Sequence, residues 1–314
     1  MLWHRTTRYI VPMVLATLRL LFVFLLVVPL ARAGNVALVL SESTGPYAEF
    51  SATLRDALDG SNWKLSRYPV GLDAAEDGTE RADLIIAAGS TALRQVLGRG
   101  GSTPIIATLI PRQVYDKLVA ESGSRNRRLT AIYLDQPPAR QASFLRQLLP
   151  GKNRIGMLIS AETRPQNNQF QHAFNAAGLI LDSEESDTDR TLLPALSTLL
   201  SRVHVLLATP DTNIYKRDNI KAILVTTYRH QRPVVAFSAA LVNAGALAAL
   251  YSTPAQIARQ SAELVLAFTN TLPAPMPPSQ FAVQINQNVA QALNLNLPDE
   301  ADIRRAMLAD KDAR

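Results

Sequence analysis

Cysteine is absent from the 314-residue chain, histidine occurs four times, and aromatic residues make up only 6%. Without cysteine there are no disulfides, no thiolate nucleophile, no cysteine-ligated zinc and no iron–sulfur cluster. The lipid-modified cysteine that tethers many exported bacterial proteins is excluded for the same reason. After His4 the histidines are His172, His204 and His230, too widely spaced for a histidine-rich metal centre, so no metal site and no cofactor is assigned.

Acidic residues are missing from the first 33 positions, which hold Arg5, Arg8, Arg19 and Arg32. The formal charge of +6 therefore belongs mostly to this leader, since the rest of the chain carries 28 basic against 26 acidic residues. A body so close to neutral, with few aromatics, does not read as a nucleic-acid binder.

Long hydrophobic runs are also lacking. The longest, residues 20–30, has 11 residues, against the roughly 20 needed to span a bilayer. It follows basic residues and precedes Ala31-Arg32-Ala33 and Gly34, the pattern of a cleavable signal peptide over residues 1–33. Export to the periplasm is the expectation, with an uncleaved anchor as the alternative.

From residue 35 onward, short β-branched runs alternate with longer amphipathic stretches, as in βα units around a parallel sheet. Strands are expected at 36–40, 63–68, 84–88, 104–108, 129–134, 154–159, 203–208, 233–237 and 246–251. Helices are expected at 47–58, 91–97, 139–149, 168–177, 190–201, 215–229 and 255–269. A further strand and helix close the pattern at 281–286 and 287–293.

Two stretches repeat one plan. Val36 to Pro46 parallels Ile155 to Pro165, with Thr44 and Pro46 each 119 positions before Thr163 and Pro165. Ala87-Ala-Gly-Ser-Thr91 parallels Ala208-Thr-Pro-Asp-Thr212, and each precedes a helix and then a strand opening with proline. Two matches in the same order imply two similarly built α/β lobes. Residues 34–128 plus about 253–278 are assigned to the first lobe, and 129–252 plus about 279–298 to the second. The polar stretch 299–314 is expected to fray.

Ligands of open parallel sheets bind beyond the carboxyl ends of the strands. The first lobe offers Ser43, Thr44, Tyr47, Gly89, Ser90, Thr91 and Thr108 there, and the second Glu162, Gln166, Asn168, Thr209, Asp211 and Ser238. Singly, such residues also serve as helix caps and turn formers. As a set they describe a cleft between lobes, with Arg112 or Arg164 available to bind a carboxylate. No phosphate loop, H-E-x-x-H, G-x-S-x-G or G-x-G-x-x-G motif follows a strand, and no catalytic residue is assigned. The sharpest enzymatic alternative is an exported hydrolase using Glu42, Glu162 or Asp211.

Several segments carry a family resemblance: Ala87 to Ala92 leading to Thr103-Pro-Ile-Ile-Ala107, Leu149 to Leu158, Thr209 to Asn213 leading to Arg232-Pro-Val-Val-Ala236, Gly245 to Leu250, Ile257 to Glu263, and Gln284 to Leu295. In their order and spacing the chain resembles substrate-binding proteins of ABC transporters, in the family that includes binders of tryptophan and tyrosine. The resemblance implies a type I periplasmic-binding-protein fold: two Rossmann-like, doubly wound lobes with parallel sheets, joined by a three-segment hinge near Leu129 and Ser252. It also implies a small-molecule ligand, an amino acid or related organic solute, bound with hinge closure. A membrane permease, or a membrane receptor if the protein is a sensor or adaptor, is the implied partner of a monomer that is not an enzyme. Ser90 and Thr91 match the family's first-lobe binding loop, Thr209 and Asp211 the second, and Ser43 and Gln166 lie in further contact loops. The chain departs from the family at Leu109-Ile-Pro-Arg112, where a Val-x-Asp-Pro pattern is common, and at the arginines before Leu129.

Overall fold

A computed structural model describes residues 34–69, 81–123 and 128–310, so the expected leader lies outside the described residues. The first lobe is built from β1 (Gly34–Leu40), α1 (Pro46–Leu58), β2 (Trp63–Pro69), β3 (Leu84–Ala88), α2 (Ser90–Gly98), β4 (Ile105–Ile110), α3 (Arg112–Ser122) and β5 (Leu129–Tyr133). All five strands are parallel, in the order β2-β1-β3-β4-β5.

Alternation along β1 explains the two-sided burial. Val36, Leu38 and Leu40 face Phe50, Leu54 and Leu58 of α1, while Ala37 and Val39 face Ala92, Leu93 and Val96 of α2. A strand buried on both faces reads as a continuous apolar run, which is why this element was evident in the sequence.

The chain then crosses into α4 (Pro138–Leu148) and a second sheet. Its elements are β6 (Arg154–Ile159), α5 (Asn167–Ala176), β7 (Ile180–Glu185), α6 (Asp189–Leu200), β8 (Val205–Leu207), α7 (Arg217–Arg229), β9 (Val234–Ala236), α8 (Ala239–Ala244) and β10 (Ala248–Tyr251). The order β11-β10-β9-β8-β6-β7 repeats the first sheet with one strand added. That strand, β11 (Ala282–Ile285), is antiparallel to β10. Both lobes are therefore doubly wound α/β layers of the same winding, as expected.

Between β10 and β11 the chain returns to the first lobe as α9 (Pro254–Leu266), whose Ile257, Ala258 and Val265 pack on the core formed by β1 and α1. Three segments thus link the lobes: one after β5, one after β10 and one before β11. No helix among the described residues is long and apolar enough to cross a membrane.

Two expectations are corrected, and two elements form that the sequence pattern does not mark. The strand at residue 129, expected to open the second lobe, instead pairs with β4 in the first sheet, Ile105 opposite Leu129 and Ile106 opposite Thr130. The crossing between the lobes comes only after Tyr133. Strand β7 was not anticipated, because Ile180-Leu-Asp-Ser-Glu-Glu185 is acidic. It forms the edge of the sheet, where Asp182 and Glu184 pair with Arg154 and Arg202 at 2.8 and 2.7 Å.

Helix α3 was likewise unread, although Val114, Tyr115, Leu118 and Val119 have helical spacing. Finally, α10 (Gln287–Ala292) forms where the closing helix is expected, but the segment expected to fray from 299 forms α11 (Glu300–Ala309), capped by Asp299, whose carboxylate accepts the Ala301 N–H at 2.7 Å. Ile303 and Met307 of α11 are 1% exposed and pack with Phe144 and Phe174. Apolar residues four apart stitch this otherwise charged helix to the core. Ile303→Ala or Met307→Ala is expected to cost about 2–4 kcal/mol, measured by chemical denaturation. A fraying tail would show no change.

Candidate functional site

In each lobe the loop after one strand is tied to the element that follows the neighbouring strand, through different groups in the two lobes. In the first, Ser41 Oγ accepts the N–H of Ala92 at 2.9 Å, so the loop after β1 caps α2. Ser160 stands 119 positions after Ser41. Its N–H donates to Thr163 Oγ1 at 2.9 Å and to Asp211 at 3.2 Å. Asp211, 2% exposed, also accepts from Thr163 Oγ1 at 2.6 Å and from the N–H groups of Asn213 and Ile214 at 2.9 and 3.2 Å. Its carboxylate is thus occupied within its own lobe, organising the loops after β6 and β8.

Around the first lobe's loop, Gly89 has φ +92° and Tyr47 lies beside it. Burial and the charge of Glu42 push the Tyr47 phenol above its ordinary pKa, against a hydrogen bond with Ser41. Ser90 and Thr91 supply the first N–H groups of α2, which have no intrahelical carbonyl to bond. Ser43 and Thr44 lie in the exposed loop after β1, and Asn168 is exposed in the first turn of α5. Ser238 caps α8, its Oγ accepting from the Leu241 N–H at 3.4 Å. Thr108 and Thr209 are buried, 0% and 7% exposed.

Between the lobes lies a pocket of about 450 Å³. Helix α3 contributes Arg112, Gln113, Asp116 and Lys117, and the second lobe contributes Glu162, Pro165, Gln166 and Gln169. Of the residues expected from sequence, Arg112, Glu162 and Gln166 are brought together here; the others stand at strand ends or helix starts and do not line this pocket. Gln113, Asp116 and Lys117 of α3 and Gln169 of α5 are not marked by the sequence pattern, which places no helix at α3.

Two contacts cross the pocket rim. Lys117 Nζ lies 2.7 Å from Glu162 Oε1, and Arg112 Nη1 donates to Gln169 Oε1 at 3.3 Å. Arg112 is also 3.7 Å from Asp116. The Glu162 carboxylate raises the Lys117 pKa. Lys117 is more than half exposed, so this pair steers the lobes together more than it stabilises the fold.

Several buried polar atoms near the strand ends have no hydrogen-bond partner among the described residues: Thr108 Oγ1, Ser160 Oγ, the Tyr215 hydroxyl, and both amide atoms of Gln113. Tyr215 packs edge-on against Phe237, with ring centres 5.9 Å apart, and burial beside Asp211 raises its phenol pKa. The histidines hold no comparable position. His172 lies on α5, His230 ends α7, and His204 Nδ1 accepts the Arg154 N–H at 3.3 Å before β8.

A buried polar hub joins the three crossing segments. Gln136 Nε2 donates to Ser252 Oγ at 2.8 Å, and Ser252 Oγ donates to the Gln280 carbonyl at 2.5 Å. Arg140, 5% exposed, donates to Gln136 Oε1 and to the Pro278 carbonyl, both at 2.8 Å. Its guanidinium also lies over Phe281, 5.3 Å from the ring centre. Each crossing therefore supplies a donor or an acceptor to one network.

Beside the hub, on the first crossing, Asp135 accepts the Arg112 N–H at 2.8 Å and so caps α3 at the pocket. Burial lifts its carboxyl to about 6, opposed by that hydrogen bond. A carboxyl whose pKa rises on folding favours the folded state at low pH and loses that contribution as pH climbs past the folded value. Asp135→Asn keeps the acceptor without the charge. It is expected to match the parent below pH 4 and to exceed it by about 1–3 kcal/mol at pH 7. Thermal unfolding across pH 4–7 checks this, and a constant difference at all pH values would contradict it.

The family model described as ABC transporter substrate binding protein matches residues 77–306. No curated protein sequence matches the chain at a significant level. Among solved structures, the chain is similar to an ABC domain in complex with L-Trp from Streptococcus pneumonia, with a TM-score of 0.60 and 15% identity over 87% of this chain and 98% of that one. It is similar to a conserved domain protein from Vibrio cholerae, with a TM-score of 0.59 and 17% identity over 87% and 98%. A third relative is the ligand-free, open structure of CD0873, a substrate binding protein with adhesive properties from Clostridium difficile, with a TM-score of 0.65 and 13% identity over 85% and 96%. At these identities the likeness is one of fold.

Proposed function

Because the chain belongs to the ABC transporter substrate-binding protein family, we infer that it captures a small solute between its two lobes and delivers it to the permease of an ABC uptake system. The observation that carries this reading is the pocket of about 450 Å³, walled on one side by α3 and on the other by the loop after β6 and by α5. Ligand sites favour such interfaces, and this volume lies within the range that encloses small organic molecules.

The solute is an amino acid or a related small organic molecule. One structural relative is in complex with L-Trp, but at 15% identity it lends its fold and not its ligand. The three crossings give the lobes a pivot, and closure about it brings α3 toward α5. Capture is binding without turnover, performed in the periplasm by a monomer after removal of the leader.

The test is a thermal-shift screen of the purified protein against amino acids, nucleosides, sugars and organic acids, with native mass spectrometry for any co-purified ligand. Ligand at about 100 times Kd should stabilise the fold by about 2.7 kcal/mol, a shift of several degrees. Stimulation of the cognate permease's ATPase by the liganded form identifies the partner. Silence across the panel, or detectable turnover of any compound, would overturn the reading.

A further inference from the structure

Gln113 stands out among the residues of the interlobe pocket. It is 5% exposed, it lines the pocket, and neither its amide nitrogen nor its amide oxygen has a hydrogen-bond partner among the described residues. A carboxamide offers two donors and an acceptor with two lone pairs. Leaving such a group buried and unsatisfied is unfavourable, and a ligand that supplies both halves relieves it.

The surrounding charges balance. Arg112 and Lys117 face Asp116 and Glu162, so the pocket has no net preference for a cation or an anion. Each sign nevertheless keeps unused capacity. Arg112 engages Gln169 through Nη1 and Asp116 through Nε, leaving Nη2 uncommitted among the described residues. Glu162 spends Oε1 on Lys117 and keeps Oε2. A guanidinium suits a carboxylate, and a carboxylate oxygen suits an ammonium. Among the described residues the lining contains no aromatic ring on which an aromatic ligand could stack.

We propose that Gln113 is the specificity-determining residue of this pocket, and that the ligand is a zwitterionic amino acid with an uncharged, hydrogen-bonding side chain of the carboxamide type. This rests on the solute-binding reading above and narrows it. Arg112 takes the ligand's carboxylate, Glu162 its ammonium, and Gln113 pairs donor to acceptor with the side-chain amide. Selection against aromatic, acidic and basic amino acids follows, because each would leave the Gln113 amide half-satisfied or upset the charge balance.

Calorimetric titration of the purified protein with L-glutamine, L-asparagine, L-tryptophan, L-glutamate and L-lysine tests this. One of the two amides should bind at least tenfold tighter than the other three classes. Gln113→Leu should weaken that ligand at least tenfold, about 1.4 kcal/mol, while the melting temperature without ligand stays level or rises because an unsatisfied amide has been removed. Gln113→Glu, of nearly the same shape, loses the amide donor and should lose affinity similarly, which keeps the test open if the leucine variant folds poorly. Tighter binding of tryptophan, glutamate or lysine, or unchanged affinity in both variants, would overturn the assignment. A ligand found in the broad screen when neither amide binds sinks this assignment alone, whereas silence in both experiments sinks the solute reading with it.

Discussion

Replacing Asp211 with alanine is expected to lower the melting temperature by about 10 °C, corresponding to about 3–5 kcal/mol, and to abolish ligand binding. One carboxylate receives the Thr163 hydroxyl and three backbone N–H groups, those of Ser160, Asn213 and Ile214. Truncation strands these donors in a site that is 2% exposed. Each stranded polar group costs about 1–3 kcal/mol, partly recovered as the loops relax toward water. Relaxation frees the loops after β6 and β8, and the first of these carries Glu162 and Gln166 into the pocket. Asp211→Asn retains one acceptor oxygen, so its loss should fall about halfway. Parallel measurement of melting temperature and ligand affinity in both variants checks the order. A catalytic carboxylate would behave differently, since its amide variant would keep stability and affinity and lose only turnover.

Gly89→Ala is expected to be as damaging to the first lobe, by about 3–5 kcal/mol. The backbone there has φ +92° and ψ 167°, a region populated almost solely by glycine. A Cβ at this position would lie 2.5 Å from Ser41 Oγ and 2.6 Å from the Tyr47 hydroxyl oxygen, inside any permissible contact. Ser41 cannot yield without giving up the Ala92 N–H that it accepts at 2.9 Å. Both strain and lost capping fall on the loop that presents Ser90 and Thr91. Denaturant unfolding with a first-lobe probe, such as Trp63 fluorescence, should show this lobe melting earlier while the second holds. An alanine variant as stable as the parent would show that the loop around Gly89 has room that its geometry does not indicate.

Much of the architecture was written locally. β1, β3 and β6 are apolar at nearly every position because helices cover both faces, and such runs need no knowledge of distant residues to be read. The repeat at an offset of 119 residues carried two lobes, although Ser41 and Ser160 tie their loops through different groups, a side-chain oxygen in the first and a backbone N–H in the second. Where reading failed, a long-range contact had replaced the local signal. β7 is acidic because Arg154 and Arg202 stand opposite it, and α11 is ordered because Ile303 and Met307 reach Phe144 and Phe174. β5 belongs to the first sheet because β4 offers it a ladder, whatever the composition of the sequence before it.

The candidate site divides along the same line. Glu162 and Gln166 were foreseeable, since a loop after a parallel strand is where ligands meet an α/β sheet. Gln113, Asp116 and Lys117 were not, because their relevance depends on which face of α3 turns toward α5, and that depends on how the chain crosses between lobes. The sequence by itself determined two similarly built α/β lobes through its repeat, and, through periodicity and turn chemistry within short windows, the strands at their cores and the polar loops at the strand ends. Only tertiary structure decided that Gln136, Arg140, Ser252 and Gln280 form one hub, and that Gln113 is buried in the interlobe pocket with its amide unpaired among the described residues. The physical reason is range: hydrophobic pattern acts over a helical turn or a strand repeat, whereas pairing a buried polar group requires a partner whose position is set by the packing of the whole chain.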